Sequence, residues 1–273
     1  MKNNAEICII GAYDLLSKSY FKSISKNYKD TCFINLSNDT REESNLYNCK
    51  IFELKKILNN LKSNNIKNII FLGKIIRPNL SEFKNDGIVE KYVPQFIDAF
   101  KKGDSSILNT VIDLFREYEY RIISPFKYCD TFNFNKESVN FNILKEDLID
   151  VNKSTKLLNA LSKYDNAQSV VSVNGYIIGI EAVEGTDALL KRVYNLRSKL
   201  NQLKNKSGFL TKIPKKNQSK LIDLPVIGPK TFELINRANL KGIAIDYKNT
   251  IIYKREDVLE LKKKYKLQIY NIN

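Results

Sequence analysis

The stretch Glu6-Ile-Cys-Ile-Ile-Gly11 is a short apolar run that ends in a glycine, and it predicts a buried first strand. Two runs of the same character follow at 32–36 and 68–72, and apolar residues recur at helical spacing across 51–61. Strands that are apolar throughout are typical of a parallel sheet covered on both faces. The sequence therefore predicts an α/β protein whose first domain, residues 1–130, is Rossmann-like.

The second half of the chain predicts a mixed α/β domain over residues 146–273, after a linker at 131–145 that has no regular period. Its strongest local signal is Asn174-Gly175, which lies between two β-rich runs. Both positions of a tight hairpin turn need a positive φ, which Asn and Gly tolerate, so a hairpin is expected here.

Several helix and turn boundaries are also predicted. Gly103 is expected to end one helix and Asp104 to cap the next, while Thr186 and Asp187 are expected to cap a long helix. A second hairpin is expected over 243–253, around a Lys-Asn turn. The apolar stripe expected on the long helix is Leu189, Val193, Leu196, Leu200 and Leu203.

The composition excludes several classes of chemistry. The 273 residues contain no histidine, which rules out Ser-His-Asp and Cys-His nucleophiles and His-ligated zinc. None of the four cysteines forms a C-x-x-C pair, so buried, reduced thiols are expected. No window approaches the roughly 18 consecutive apolar residues of a membrane helix, and the start does not resemble a secretory signal, so the cytoplasm is the expected location.

The formal net charge of +15 suggests an anionic partner, although an AT-rich coding bias toward Lys, Asn and Ile would also raise it. Residues 181–230 contain eleven Lys or Arg and four Asp or Glu, which gives +7 in one segment. Nucleic acid, a phosphate ligand and an acidic membrane surface would all fit this charge. The basic segment contains no recognised nucleic-acid motif and few aromatic residues.

Two groups of acidic residues are candidates for phosphate chemistry. Glu181-Ala-Val-Glu-Gly-Thr-Asp187 lies at the start of the long helix, where a phosphate, or a Mg²⁺ bound to phosphate, would be stabilised. Helix capping explains the same residues. Asp223 is a lone acid among lysines and can hold a hard cation or orient a water, although a simple lysine pair explains it too.

Two loops at the carboxyl edge of the first sheet are candidates for ligand binding. Gly11-Ala12 follows the first strand, without the further glycines of a dinucleotide fingerprint. Gly73-Lys74 follows another strand and leads to Arg77. Ordinary strand-to-helix loops would also account for both.

These motifs, taken in order, resemble one family, the LpxI-type UDP-2,3-diacylglucosamine diphosphatases of lipid A biosynthesis. The most specific are Glu181-Ala-Val-Glu-Gly-Thr-Asp-Ala-Leu-Leu-Lys-Arg192 and Asp223-Leu-Pro-x-Ile-Gly228. Gly73-x-x-x-Arg77-Pro, the Lys-Gly-Asp turn at 102–104, Lys212 near a proline and the Gly-Ile-Ala at 242 accompany them. One departure is the loop after the first strand, which is Gly-Ala-Tyr-Asp where the family commonly has consecutive glycines.

The resemblance implies Mg²⁺-dependent cleavage of UDP-2,3-diacylglucosamine to UMP and 2,3-diacylglucosamine 1-phosphate, with the substrate in a cleft between the two domains. Asp223 would be the catalytic residue, as metal ligand or water-orienting base, and Asp187 a second metal ligand. The implied partner is a lipid-linked UDP-sugar, reached by peripheral contact with the cytoplasmic face of the inner membrane. The remaining implied substrate contacts are Gly11, Ala12, Gly73, Lys74, Arg77, Thr186, Asp187, Lys191 and Lys212.

Two other functions fit the sequence. One is a nucleic-acid-binding basic protein, which would bind DNA or RNA with a steep salt dependence. The other is a relative that binds the family's ligand without turnover, which the altered Gly11 loop suggests. The sequence leaves the oligomeric state open.

Overall fold

The computed structural model describes residues 3–74, 87–201, 204–215 and 219–272. The chain forms two compact units. The first contains Met1–Asp130 together with the short segment Ser219–Asp223, and the second contains Thr131–Gln218 and Leu224–Asn273.

The first unit is built on a five-stranded sheet in the order β3-β2-β1-β4-β5, and every described pair in it is parallel. This is the Rossmann-like arrangement that the apolar runs predicted, with the strand order changing direction at β1. The strands are β1 (Asn3–Gly11), β2 (Tyr28–Asn35), β3 (Leu46–Asn48), β4 (Asn68–Phe71) and β5 (Arg121–Ile122).

In the described part of this unit, four α-helices accompany the sheet, and α2 to α4 all contribute to one hydrophobic core with its strands. The predicted break between α3 and α4 is present, but α4 begins at Asp104 with Gly103, at φ 114°, as its cap residue. The assignment of Asp104 as the cap was therefore wrong by one position. The helices are α1 (Leu15–Asn27), α2 (Leu54–Ser63), α3 (Val89–Lys102) and α4 (Asp104–Glu117).

The second unit contains a mixed five-stranded sheet in the order β12-β10-β8-β6-β7. Its β8, β10 and β12 are parallel, and β6 is antiparallel to both β7 and β8. The predicted Asn174-Gly175 hairpin is confirmed as the β6–β7 pair. The strands are β6 (Ser169–Val173), β7 (Tyr176–Ile180), β8 (Phe209–Lys212), β10 (Gly242–Ile245) and β12 (Gln268–Asn271).

The helices and remaining strands of the second unit lie around this sheet. Residues 131–145, predicted as a linker, fall within this unit, and Phe134 and Val139 are buried in its core. The helices are α5 (Lys145–Leu161), α6 (Thr186–Lys199), α7 (Pro229–Arg237) and α8 (Arg255–Lys264), and a separate parallel pair is formed by β9 (Val226–Ile227) and β11 (Ile251–Ile252).

Two sequence predictions in this unit were wrong. The second hairpin does not form, because Tyr247–Asn249 is a 3₁₀ turn and β11 pairs with β9 rather than with β10. The apolar stripe of α6 is also shorter than expected, since Leu196 and Leu200 are exposed while Arg197 is buried. Leu203 lies outside the described residues.

Two expectations from composition can be compared with the structure. All four cysteines are buried thiols, as expected. Across the described ranges, no helix has both the length and the apolar character needed to cross a membrane.

Candidate functional site

Polar side chains meet at one edge of the second sheet, where β8 ends and β6 begins. Ser169, the first residue of β6, is in register with Lys212, the last residue of β8. Glu181, which follows β7, donates its backbone N–H to the carbonyl oxygen of Ser169 at 2.9 Å. Three neighbouring strands therefore bring a hydroxyl, an ammonium and a carboxylate side chain into one row.

Helix α6 begins beside this row. Gly185 has a φ of 80° and occupies the cap position, so Thr186 is the first helical residue rather than the cap that was predicted. A glycine suits this position because residues with a Cβ avoid a positive φ. As a result, the Thr186 hydroxyl takes part in the side-chain cluster instead of capping the helix.

The cluster is held by hydrogen bonds that centre on Thr186. Lys212 Nζ donates to Thr186 Oγ1 at 2.6 Å, and Thr186 Oγ1 donates to Glu181 Oε1 at 3.0 Å. Ser169 Oγ lies 3.2 Å from Thr186 Oγ1. Lys212 is buried, with 7% exposure. A mostly buried lysine side chain thus lies at the carboxyl edge of a parallel strand, a position that suits an anionic ligand.

The two other predicted contacts on α6 are more exposed. Asp187 Oδ2 forms an ion pair with Lys230 Nζ at 2.8 Å, and this carboxylate raises the pKa of Lys230. Lys191 is exposed one turn further along the helix. Asp187 is therefore engaged by a cation within its own unit.

Asp223 lies where the chain passes from one unit to the other. It is exposed, but it follows Ile222, which is buried in the core of the first unit, and it belongs to that unit. Its φ is 57°, a left-handed conformation that Asp adopts more readily than most residues. Thr186, Asp187, Lys191 and Lys212 belong to the second unit.

The two predicted loops of the first unit contact each other. Ala12 N donates to the Lys74 carbonyl oxygen at 3.2 Å, and a Cβ on Gly11 would lie 2.1 Å from the carbonyl oxygen of Leu72. Gly73 has a φ of 99°, and a Cβ there would lie 2.3 Å from the Ala12 carbonyl oxygen. Both glycines are therefore required by the close approach of the two loops, whether or not a ligand binds. Arg77 lies outside the described residues.

Asp14 explains the altered sequence of the first loop. Its Oδ1 accepts a hydrogen bond from Ser17 N at 2.9 Å, which caps α1, and its Oδ2 accepts one from Lys74 N at 3.1 Å. Tyr13 N donates to the buried Asn35 Oδ1 at 3.1 Å. The backbone N–H groups of Ala12, Tyr13 and Lys74 are thus already paired within the protein.

Comparison with known proteins identifies the family of the chain. The family model of the LpxI N-terminal domain matches residues 16–132, and that of the LpxI C-terminal domain matches residues 139–270. The chain belongs to the LpxI family. A relative from Caulobacter vibrioides, UDP-2,3-diacylglucosamine pyrophosphatase LpxI, is 29% identical over 211 residues, which cover 77% of this chain and 75% of the relative.

Some residues of this LpxI-family protein were not singled out as binding residues from the sequence. Glu181 was considered only within the acidic group at the start of the long helix and not as a contact of Thr186, and Ser169 was not considered. Their proximity depends on strand register between β6, β7 and β8, which no local pattern encodes. Asp14 was noticed only as a departure from the family's glycines.

The side-chain oxygens that could act as ligands decide whether this family member can hold Mg²⁺. In the described parts of the chain, no three His, Cys, Asp or Glu side chains are grouped to hold a metal. Mg²⁺ usually binds through one or two carboxylates together with substrate phosphates and water. A single exposed carboxylate such as Asp223 fits that mode, whereas an all-protein cage is not present among these residues.

Proposed function

We propose that this protein hydrolyses the diphosphate bond of UDP-2,3-diacylglucosamine and releases UMP and 2,3-diacylglucosamine 1-phosphate, a reaction of lipid A biosynthesis. Membership of the LpxI family and the name of the Caulobacter relative support this substrate. The observation that carries the proposal is the buried Lys212 ammonium, held by Thr186 at the carboxyl edge of the second sheet.

The proposed chemistry needs positioning and charge stabilisation rather than a histidine. The oxygen of a water molecule bonds to the phosphorus next to uridine, and the bond from that phosphorus to the bridging oxygen breaks. The bridging oxygen leaves with the lipid sugar phosphate. Asp223 is proposed to orient the water and accept its proton, while Lys212 stabilises the charge on the diphosphate.

Mg²⁺ is part of this proposal. Asp223 is the residue proposed to hold it, and Asp187 is a second candidate whose carboxylate would have to leave Lys230. The ion would supply positive charge to the phosphate oxygens as the leaving group departs.

The proposed activity is tested by incubating the purified protein with UDP-2,3-diacylglucosamine, with and without Mg²⁺, and measuring UMP. Asp223→Ala should reduce UMP release by at least about 10²-fold, a usual scale for a directly acting group. Asp113→Ala, an exposed aspartate of α4, is the matched control and should retain activity. Full activity of the Asp223 variant would contradict its catalytic role.

A binding-only protein is the second candidate function, and the occupied N–H groups of the Gly11 loop favour it. It predicts that the substrate raises the melting temperature while no UMP appears under any metal condition. A nucleic-acid-binding protein predicts instead that DNA or RNA gives the larger, salt-sensitive stabilisation.

Peripheral contact with an anionic membrane, at the cytoplasmic face of the inner membrane, is proposed from charge. Residues 198–206, 236–240 and 262–268 contain eight Lys or Arg and no Asp or Glu. The adjacent Arg197 is buried and Lys241 pairs with Glu146 and Asp147, so neither is counted. Lys241 N donates to the Gly208 carbonyl oxygen and Gln268 N to that of Lys241, so the segments meet at one edge of the second sheet. Vesicles with an anionic lipid should bind the protein at low salt, and equal binding to neutral vesicles would contradict this.

A further inference from the structure

Glu181 has contacts that set it apart from the exposed acids nearby. Its Oε1 accepts the Thr186 hydroxyl at 3.0 Å, and its Oε2 is buried without a hydrogen-bond partner. Glu184, three residues later, is exposed and pairs with Arg192 at 2.9 Å. Because Oε2 is buried and Oε1 accepts from Thr186, the hydrogen-bond link from Glu181 to Lys212 runs through the Thr186 hydroxyl.

Donors and acceptors can be assigned in only one way along the hydrogen-bond chain that joins Lys212, Thr186 and Glu181. An ammonium group only donates, an ionised carboxylate only accepts, and a hydroxyl has one proton. Thr186 must therefore give its proton to Glu181 and accept from Lys212. With that proton committed, Ser169 Oγ can only donate to Thr186 in the contact they share.

We propose that Glu181 is a positioning residue that fixes the Lys212 ammonium, through the Thr186 hydroxyl, for the diphosphate of the substrate; this rests on the proposed function. The carboxylate is separated from the lysine by one hydroxyl in this chain of bonds. It orients the ammonium through that hydroxyl. Without Glu181, the Thr186 proton could turn toward Lys212 and displace its N–H group.

A double-mutant cycle tests this coupling. Glu181→Ala should lower kcat/KM by about 10²-fold, the scale of a misplaced reacting or stabilising group. Glu181→Gln, which keeps an acceptor oxygen, should recover part of the loss. Thr186→Val should resemble Glu181→Ala, while Thr186→Ser should remain near wild type. Glu256→Ala, which changes an exposed acid of α8 in the same unit, is the matched control and should not change kcat/KM.

The same Glu181→Ala change is then made in a Lys212→Ala background, where it should have no further effect. Groups that act as one unit are non-additive, whereas a structural role would lower activity by the same factor in both backgrounds. Equal losses would overturn the proposal. If Glu181→Ala does not fold, Glu181→Gln provides the same comparison.

An NMR spectrum of the Lys212 ε-methylene separates this proposal from the proposed function. Glu181→Ala should shift this signal, because the Thr186 hydroxyl that holds the ammonium loses its acceptor, whereas Glu256→Ala should leave the signal in place. An unchanged signal in Glu181→Ala would overturn the positioning role even in an active enzyme. An inactive wild type whose Lys212 signal shifts in Glu181→Ala would instead overturn the proposed function and retain the positioning of Lys212.

Discussion

At the scale of single residues, Asp150 is a carboxylate that the fold has buried for a structural purpose. It accepts hydrogen bonds from Ser172 Oγ at 2.6 Å, Asn174 N at 2.9 Å and Gly175 N at 2.7 Å. The last two are the turn residues of the β6–β7 hairpin. Asp150 therefore holds the turn of the hairpin that leads to Glu181.

Asp150→Ala should destabilise the protein by about 2–4 kcal/mol, because charge-assisted hydrogen bonds are lost and buried donors are left unpaired. Asp150→Asn keeps one acceptor oxygen and should fall between the alanine variant and wild type. Chemical denaturation measures both, with the exposed Asp113→Ala as the control. A loss below about 0.5 kcal/mol for the alanine variant, the size of a typical surface substitution, would contradict this role.

Only some of the candidate site residues could be predicted from the sequence. Asp223 and Lys212 were selected from charge and motif, which are local properties. Asp14 contacts Lys74, which is distant in sequence. The position of Glu181 depends on the strand register between β6 and β7. A local sequence pattern does not show which of several acidic side chains has a buried carboxylate oxygen.

At the scale of elements, the packing of α6 against β7 depends on Gly179. A Cβ at this position would lie 2.6 Å from Leu189 Cδ1 and 2.9 Å from Val193 Cγ2, both on α6. A Cβ here would require the ends of these two side chains, which are buried in the core of the second unit, to move. Because Thr186 begins the same helix, this contact also sets where the Thr186 hydroxyl lies.

Gly179→Ala should cost about 1–3 kcal/mol through overpacking, since the added methyl must displace α6 or its side chains. It should also lower the proposed activity if α6 moves. Gly228→Ala is the contrast, because its backbone is extended at φ −157° and a Cβ there would lie 3.5 Å from Tyr253, an ordinary contact. A stability loss for Gly179→Ala no larger than that of an exposed surface change would contradict the close packing.

The elements themselves were predicted best where the signal is local. Asn174-Gly175 specifies its own turn, and Pro229 follows Gly228 at the start of α7 as the sequence indicated. The predicted hairpin at 243–253 was wrong because β11 pairs with β9, a strand about 25 residues earlier in the chain. The α6 stripe was wrong because Arg197 turns inward and donates to the carbonyl oxygens of Ala238 and Asn239.

At the scale of the whole molecule, two solvent-exposed carboxylates with a lowered pKa make a small, salt-screened contribution to stability that depends on pH. Hydrogen bonds from Lys91 and Tyr92 lower the pKa of Glu117. Hydrogen bonds from Tyr13 and Lys18 lower the pKa of Glu43. A carboxyl with a lowered folded pKa contributes stability above its unfolded pKa and loses it as the pH falls through the folded value. These contributions are therefore complete at neutral pH and disappear in acid.

The melting temperature should accordingly fall as the pH is lowered below about 4.5, near the pKa of an unfolded glutamate. Glu117→Gln removes one such group, so its melting temperature should be lower than that of wild type at pH 7 and approach it in acid. Glu137→Gln, at an exposed position of the second unit, is the control, and its melting temperature should follow that of wild type at every pH. A constant difference between Glu117→Gln and wild type from pH 7 to pH 3 would show that the Lys91 and Tyr92 contacts do not depend on the charge of Glu117. That result would contradict the cause given for its lowered pKa, because a proton on Glu117 must weaken an ion pair with Lys91.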